Sequence, residues 1–425
     1  MHSGHEHPLI KTSCGDRLRG RKSIDSIRFP APSAIRTNLR LDYPKCMNQR
    51  VDEREWIQYQ WDYLVALLGG ENRLTRLAYE TGAFTRRRKV ESPVDLLRLI
   101  LTWAVAERSL QETAAMAAET GLADVSDVAL LGRFRRAEEW LGAILGDRLA
   151  MHDVPPRLAR EIRLIDATCI SCRGSKTTER RVHLTLDLRT NRTTSIELTG
   201  RGGGESLERF SLRAGEIVIA DRAYGTRKGL AHAARSGAEF VIPFAWSNLP
   251  LETREGEPLD LMAALRSVPE AQASEFPVQF RAPDGEAIVC RLVAIRKSEP
   301  LAEKARQGIL ATSRRHGNPK IDARTLEAAG YWFVLTNLPA EISAESVLDL
   351  YRFRWQIELK FKTLKSVLHL GNVPTRSGEL LNVYLTAKLI IALLIEDLVY
   401  NAESFSPWGY PLTAGSLLAS DALSA

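Results

Sequence analysis

Three acidic residues stand where carboxylates could act together on a phosphoryl group. Asp166 follows the apolar stretch 162–165, Asp221 follows the apolar stretch 217–220, and Glu358 lies in a helical pattern further along the chain. Carboxylate oxygens are preferred ligands of Mg²⁺, and two such ions stabilise the entering and leaving oxygens of an in-line displacement at phosphorus. The three acids therefore indicate metal-dependent phosphoryl transfer. Taken singly, each aspartate could instead cap a loop or a helix.

The helix that carries Glu358 also brings together side chains that bind phosphates. Tyr351, Arg354, Glu358 and Lys365 stand at offsets 0, 3, 7 and 14. At about 100° per residue, these offsets place all four within an arc of about 60°. A surface ion pair between Arg354 and Glu358 is the simpler interpretation, but phosphate binding accounts for all four residues. Beside this stripe we predict an apolar face formed by Leu350, Phe353, Ile357, Phe361, Leu364 and Leu368.

The elements that must position these residues begin after the proline pair 155–156. The apolar and β-branched segments 162–170, 182–188 and 193–198 are predicted strands, and residues 189–192 join the last two as a hairpin. A strand at 216–220, a helix at 229–236 and a strand at 239–244 follow. This order is typical of a ribonuclease-H-like α/β core.

The second half of that core is predicted after an interruption. Residues 250–328 contain strand-like segments bounded by Gly and Pro, which indicate a β-rich insertion. A strand at 331–335 and one long helix complete the core. We expect this helix to begin at Ser343 and to stop before Gly371.

The preceding segment, from Trp56 to Leu149, has apolar residues at helical spacing and predicts an all-helical region. Within it, residues 110–118 and a second helix after Ser126 suggest a helix, a turn and a helix. Two basic clusters there are candidates for contact with nucleic acid, although a solvated helix face is the alternative. One cluster is Arg133, Arg135 and Arg136, and the other is Arg86, Arg87, Arg88 and Lys89.

Overall composition adds little to these motifs. The 425 residues are 44% hydrophobic and 26% charged, which is ordinary for a globular protein. The net charge of +6 arises in residues 1–50, which hold ten Lys and Arg against four Asp and Glu. Residues 1–46 are a predicted disordered basic tail, and a second hypothesis is that translation starts at Met47. Five scattered cysteines fit a reducing cytoplasm, and no membrane span is expected.

Taken together, these motifs resemble the insertion-sequence transposases that carry a DDE triad and a Tyr-x2-Arg-x3-Glu-x6-Lys signature. Tyr351, Arg354, Glu358 and Lys365 match all four signature positions. The surroundings of the first two acids and residues 332–337 also match, so the likeness covers roughly residues 56–400.

This resemblance implies a DNA transposase whose Asp166, Asp221 and Glu358 are catalytic and hold Mg²⁺, for which Mn²⁺ can substitute. The expected partner is double-stranded DNA, as transposon ends and as target, bound by a homodimer on paired ends. The protein is expected in the cytoplasm, associated with the nucleoid when bound to DNA. DNA contacts are expected from Tyr351, Arg354, Lys365, Arg222, Arg133, Arg135 and Arg136. Trp332 is expected to stack a flipped base, with a core tryptophan as the alternative.

The resulting organisation has six parts. They are the basic tail 1–46, the helical DNA-binding region 47–155, the first part of the core 156–249, the β-rich insertion 250–328, the second part of the core 329–400 and the segment 401–425. The last segment departs from the helical pattern expected of the family. Two other interpretations therefore stay open, a nuclease on the same fold and a domesticated or defective transposase that only binds DNA.

Overall fold

A mixed sheet of eight strands runs through the protein in this computed structural model, which describes residues 53–152, 160–172, 177–315, 317, 320–371, 373 and 378–403. The tail 1–46 and the segment after Glu403 lie outside these residues. The strands are β1 (Ile162–Ile170), β2 (Arg180–Asp187), β3 (Arg192–Gly200), β4 (Ile217–Ala220), β5 (Glu239–Ile242), β6 (Ser274–Arg281), β7 (Ala287–Arg296) and β8 (Tyr331–Thr336).

The strand order is β3-β2-β1-β4-β5-β8-β7-β6. β1, β2 and β3 are antiparallel neighbours, whereas β4 runs parallel to β1 and β5 runs parallel to β4. The predicted strands and the predicted hairpin are confirmed. Asn191 adopts a left-handed φ of 54° in the turn between β2 and β3.

Helices cover the sheet. They are α1 (Glu53–Leu67), α2 (Glu71–Glu80), α3 (Pro93–Ala106), α4 (Leu110–Glu119), α5 (Asp127–Arg136), α6 (Glu138–His152), α7 (Arg227–Arg235), α8 (Leu261–Arg266), α9 (Glu299–Arg315), α10 (Ala323–Ala328), α11 (Ala344–Arg352), α12 (Trp355–Ser366) and α13 (Gly378–Glu403). Leu164 and Ile219 share one apolar core with α1 to α6 and α13. Ile165 and Val218 point to the other face, where α7 packs.

The segment 250–328 is more helical than predicted. Its two strands, β6 and β7, do not form a separate β module, because β7 pairs with β8 and so extends the central sheet. Helix α9 was missed because it has little apolar periodicity. Ion pairs along one side support it instead, from Arg306 to Glu299 at 2.7 Å and to Glu303 at 3.4 Å.

α13 is a core helix of 26 residues. Within the described residues it is the one helix long and apolar enough to cross a membrane, yet 72% of its most apolar window is buried inside the protein. Tyr384 packs edge-on against Trp103 of α3, with ring centroids 5.0 Å apart. Lys388, almost fully buried, donates to Glu107 at 2.7 Å. These contacts bind the N-terminal helices to the end of the core.

A buried charged cluster makes a second connection between α6 and α13. Asp397 accepts hydrogen bonds from Arg148 at 2.5 Å and from His152 Nε2 at 2.9 Å, and Arg192 also pairs with it. Burial acts to raise the pKa of Asp397, but the His152 hydrogen bond and the charges of Arg148 and Arg192 outweigh it and lower that pKa. The cluster therefore stabilises the folded protein while Asp397 is ionised.

The predicted single helix from Ser343 to Gly371 is wrong in one respect. Ser343 does cap α11, but the helix breaks at Phe353 and Arg354, and α12 ends at Ser366. The amides of Phe353 and Arg354 donate to carbonyls three residues back, as in a tight 3₁₀ turn. Phe353, which was predicted on the apolar face, lies in this turn and is 43% exposed.

Candidate active site

The pairing of β1 with β4 brings Asp166 and Asp221 side by side. Ile165 lies opposite Ala220 in this parallel pair, so the two aspartates come next on adjacent strands. Asp166 lies within its strand, because β1 continues along β2 to Ile170 as the predicted strand 162–170 did. It nevertheless follows the last residue that β4 covers, which opens one side of it to a ligand.

The two aspartates are held by backbone amides. Ala167 N donates to Asp166 Oδ1 at 2.7 Å, and Ala223 N donates to Asp221 Oδ1 at 2.8 Å. The pKa of Asp166 is raised to about 6, mainly by burial and also by the negative charge of Asp221, while the Ala167 hydrogen bond and the charge of Arg354 act in the opposite direction. Asp166 is therefore a carboxylate whose ionised form lacks sufficient positive charge nearby.

Glu358 lines the same cleft as Asp166, which has a volume of about 580 Å³. Its carboxylate is 2.6 Å from the Arg354 guanidinium. The Arg354 guanidinium lies 5.8 Å from the centre of the Tyr351 ring, so the turn between α11 and α12 keeps these three side chains together. The predicted grouping of Tyr351, Arg354 and Glu358 thus holds despite the break in the helix.

The three acids do not converge on one point. Among the residues that the structure describes, no three carboxylate, imidazole or thiol groups lie close enough together to hold a metal ion. Glu358 turns to Arg354 instead. The donor set still fits a divalent cation, because hard carboxylate oxygens suit Mg²⁺ and Asp166 is half-buried beside a second negative charge.

The other predicted DNA contacts lie at varied distances from this cleft. Lys365 is exposed on its wall, and Arg222 is exposed directly after Asp221. Trp332 is not a core residue, since the residue is 54% exposed. Lys297 Nζ lies 4.1 Å from the centre of its ring, so its face already attracts a cation.

The two basic clusters of the helical region are neighbours in space. Ser126 caps α5 as predicted, and its hydroxyl accepts from Ala129 N at 3.3 Å. Burial lowers the pKa of Arg133, and the positive charges of Arg136 and Arg88 lower it further. Arg135 points elsewhere, 3.9 Å from Glu379 of α13. The structure therefore groups Arg88 with Arg133 and Arg136.

Three residues of the site were missed from the sequence. Lys362 lines the cleft one turn after Glu358. Glu205 adds a negative charge near Asp166 and is paired with Arg181 at 3.5 Å. Tyr224 is fully buried, and its hydroxyl has no hydrogen-bond partner among the described residues. A glutamate after a Gly-rich loop and a tyrosine at the end of a short 3₁₀ helix carry no spacing that would have indicated these positions.

Comparisons with known proteins identify the family of the chain. Residues 157–394 match the family described as Transposase DDE domain. The InsL protein of insertion sequence element IS186A from Escherichia coli K12 is 36% identical over 82% of this chain and 96% of its own length. The transposase for insertion sequence element IS421 from Escherichia coli has the same identity and coverage.

A solved structure also resembles the chain. The cryo-EM structure of the piggyBac transposase synaptic complex with hairpin DNA shares 10% sequence identity and a TM-score of 0.47, over 86% of this chain and 78% of that chain. The family match covers more than half of the chain, and the relatives match almost over their whole length. The chain therefore belongs to the DDE transposases, enzymes that cleave DNA and transfer its strands.

Proposed function

We propose that Asp166, Asp221 and Glu358 are the catalytic carboxylates of this transposase, and that it carries the Tyr-x2-Arg-x3-Glu-x6-Lys signature. The observation that supports this most is the register of β1 and β4, which sets Asp166 beside Asp221 at the edge of a cleft that Glu358 also lines. The order β3-β2-β1-β4-β5 and its strand directions support a ribonuclease-H-like core.

The three carboxylates would hold divalent ions, Mg²⁺ or in its place Mn²⁺. When bound, these ions supply Lewis-acid stabilisation of the entering and leaving oxygens. The chain itself holds the two aspartates in position through the amides of Ala167 and Ala223. Cation binding also requires that Asp166 be ionised and that Glu358 leave its ion pair with Arg354.

Side chains around the acids position the DNA. Once released from Glu358, Arg354 can pair with a backbone phosphate, and Lys365 and Arg222 present further charge to phosphates along the cleft. Tyr351 contributes a hydroxyl contact. The exposed face of Trp332 suits stacking of a base flipped from the transposon end.

The helical region recognises the ends. Arg133 and Arg136, with Arg88 beside them, form a group of positive charges suited to the phosphate backbone. Arg135 contributes less, because Glu379 balances part of its charge. Two copies of the chain would act on two paired ends, in the cytoplasm and on the nucleoid. Sizing the protein with end DNA tests that stoichiometry.

The test compares Glu358→Gln with the wild type on a linear duplex that carries the inverted repeats bordering the reading frame. We expect no strand cleavage and unchanged end binding, because the amide cannot hold the cation but leaves the helical region intact. Glu345→Gln, an exposed glutamate on α11, is the matched control and should cleave normally. Mg²⁺-dependent cleavage by Glu358→Gln would disprove the assignment. Strand transfer with pre-cut ends distinguishes a transposase from a nuclease.

A further inference from the structure

α12 is a short helix with a break at each end. It begins after the turn at Phe353 and Arg354 and ends at Ser366, and His369 soon afterwards adopts a left-handed φ of 48°. The contacts that α12 makes with its neighbours therefore contribute to the orientation of Glu358.

The apolar contacts of α12 lie between two polar ones. Ile357, Phe361 and Leu364 are buried and face the core. At about 100° per residue, Glu358 projects about 90° to one side of their mean direction, and Lys360 projects about 70° to the other. Apolar packing keeps the helix on the sheet but is non-directional. A polar contact at Lys360 can fix rotation about the helix axis.

Such a contact is present and well enclosed. Lys360 Nζ lies 3.0 Å from Glu396 Oε1 of α13, with only 14% and 10% of the two side chains exposed. Lys360 also donates to the carbonyl of Asn191, in the turn between β2 and β3, at 3.3 Å. One ammonium group thus ties the catalytic helix both to α13 and to the sheet.

Glu396 is itself immobilised. Thr193 N donates to its Oε2 at 2.8 Å, and the Thr193 hydroxyl donates to its Oε1 at 2.7 Å. The next residue of α13, Asp397, is fixed by Arg148 and His152 of α6. The Glu396 carboxylate that pairs with Lys360 is therefore held in place by contacts with the sheet and with the helical region. It can restrict the movement of α12 for that reason.

We propose that Lys360 and Glu396 are positioning residues that set the orientation of Glu358 toward Asp166 and Asp221. Neither residue lines the cleft. This inference rests on the proposed role of Glu358. It predicts that loss of the ion pair slows the chemical step while leaving DNA binding unchanged, because only the placement of one carboxylate alters.

The experiment uses the full chain with Lys360→Met, Lys360→Arg, Glu396→Gln and the double variant Lys360→Met/Glu396→Gln. Single-turnover cleavage at saturating end DNA is measured together with the dissociation constant for ends, the thermal midpoint and the Mn²⁺ affinity from titration. We expect Lys360→Met and Glu396→Gln each to cleave about 10- to 100-fold more slowly, since misplacement of a catalytic group by about 1 Å costs that much.

Several results separate positioning from loss of structure. End affinity should stay within about twofold, Mn²⁺ should bind more weakly, Lys360→Arg should restore most of the rate, and the double variant should be no slower than either single variant. Asp349→Asn, which removes an exposed ion pair on α11, should behave as the wild type. Wild-type cleavage by Lys360→Met, or a rate loss that Lys360→Arg does not restore, would overturn the proposal.

Failure of the positioning role of Lys360 and Glu396 and failure of the active-site assignment give different outcomes. If Glu358→Gln is inactive and Lys360→Met is fully active, only the positioning role is wrong. If Glu358→Gln itself cleaves, the catalytic assignment is wrong, whatever the Lys360 variants show.

Discussion

Asp166→Asn should inactivate the enzyme and stabilise its fold. Burial beside Asp221 raises the pKa of Asp166 from 3.8 to about 6. A shift of about two pKa units corresponds to roughly 3 kcal/mol by which the ionised carboxylate destabilises the folded state above pH 6. Asparagine retains the acceptor for Ala167 N and carries no charge. Because part of the desolvation cost remains with the amide, we expect a gain of roughly 1–3 kcal/mol at pH 7.5.

The sign follows from proton linkage. The folded state binds the Asp166 proton more tightly than the unfolded state, so this penalty is fully present above about pH 6 and disappears below about pH 4. For a chain of 425 residues, with about 2.1 cal/mol/K of unfolding entropy per residue, 3 kcal/mol corresponds to a thermal midpoint shift of roughly 3 °C.

The assay is thermal unfolding of the wild type and Asp166→Asn in EDTA at pH 7.5 and at pH 4.5. The variant should unfold at a higher temperature at pH 7.5, and the difference should shrink at pH 4.5. Asp349→Asn, which alters an exposed carboxylate, should shift the midpoint at neither pH. A variant no more stable than the wild type at pH 7.5, or equally stabilised at both pH values, would refute the reasoning.

Three further predictions concern single side chains. Tyr224→Phe should leave the thermal midpoint unchanged or raise it, because the buried hydroxyl it removes has no partner among the described residues; a drop of several degrees would reveal a missed hydrogen bond. As the pH falls from about 5 to 3 the wild type should lose more thermal stability than Asp397→Asn, because the stability from the lowered pKa of Asp397 is fully present above its unfolded value of about 3.9 and is lost progressively below it; parallel pH curves would contradict this. Replacing both Arg133 and Arg136 with alanine should weaken binding to transposon ends. It should also reduce the slope of the logarithm of the binding constant against the logarithm of salt concentration by about one per lost phosphate contact, with a smaller change for Arg135→Ala. An unchanged slope would show that these arginines do not contact DNA.

The strands around the aspartates could be predicted because their signal is local. Runs such as Ile217–Ala220 are apolar throughout, as expected for a strand buried on both faces, and Asp221 ends the run. The grouping of Tyr351, Arg354 and Glu358 was also predictable from helical spacing. Their contacts survive the break because a 3₁₀ turn changes the angle per residue by only about 20°.

Other features could not be predicted, because they depend on contacts distant in sequence. In the sequence, Lys360 and Glu396 look like ordinary surface residues. Their ion pair forms only because the fold brings α12 against α13. Glu205 reaches the aspartates through a Gly-rich loop whose course has no periodic signal. The tight turn at Phe353 and Arg354 is defined by two backbone hydrogen bonds that the local sequence does not specify.

The most direct test of the central claim, that the carboxylates hold the catalytic cation, is a metal-specificity switch at Asp221. A thiolate at this position should bind a soft ion in preference to Mg²⁺. We predict that Asp221→Cys will not cleave transposon ends in Mg²⁺ alone and will regain cleavage when Mn²⁺ or Cd²⁺ is added, while Asp349→Cys cleaves normally in Mg²⁺. Cleavage by Asp221→Cys in Mg²⁺ at the wild-type rate would contradict the account.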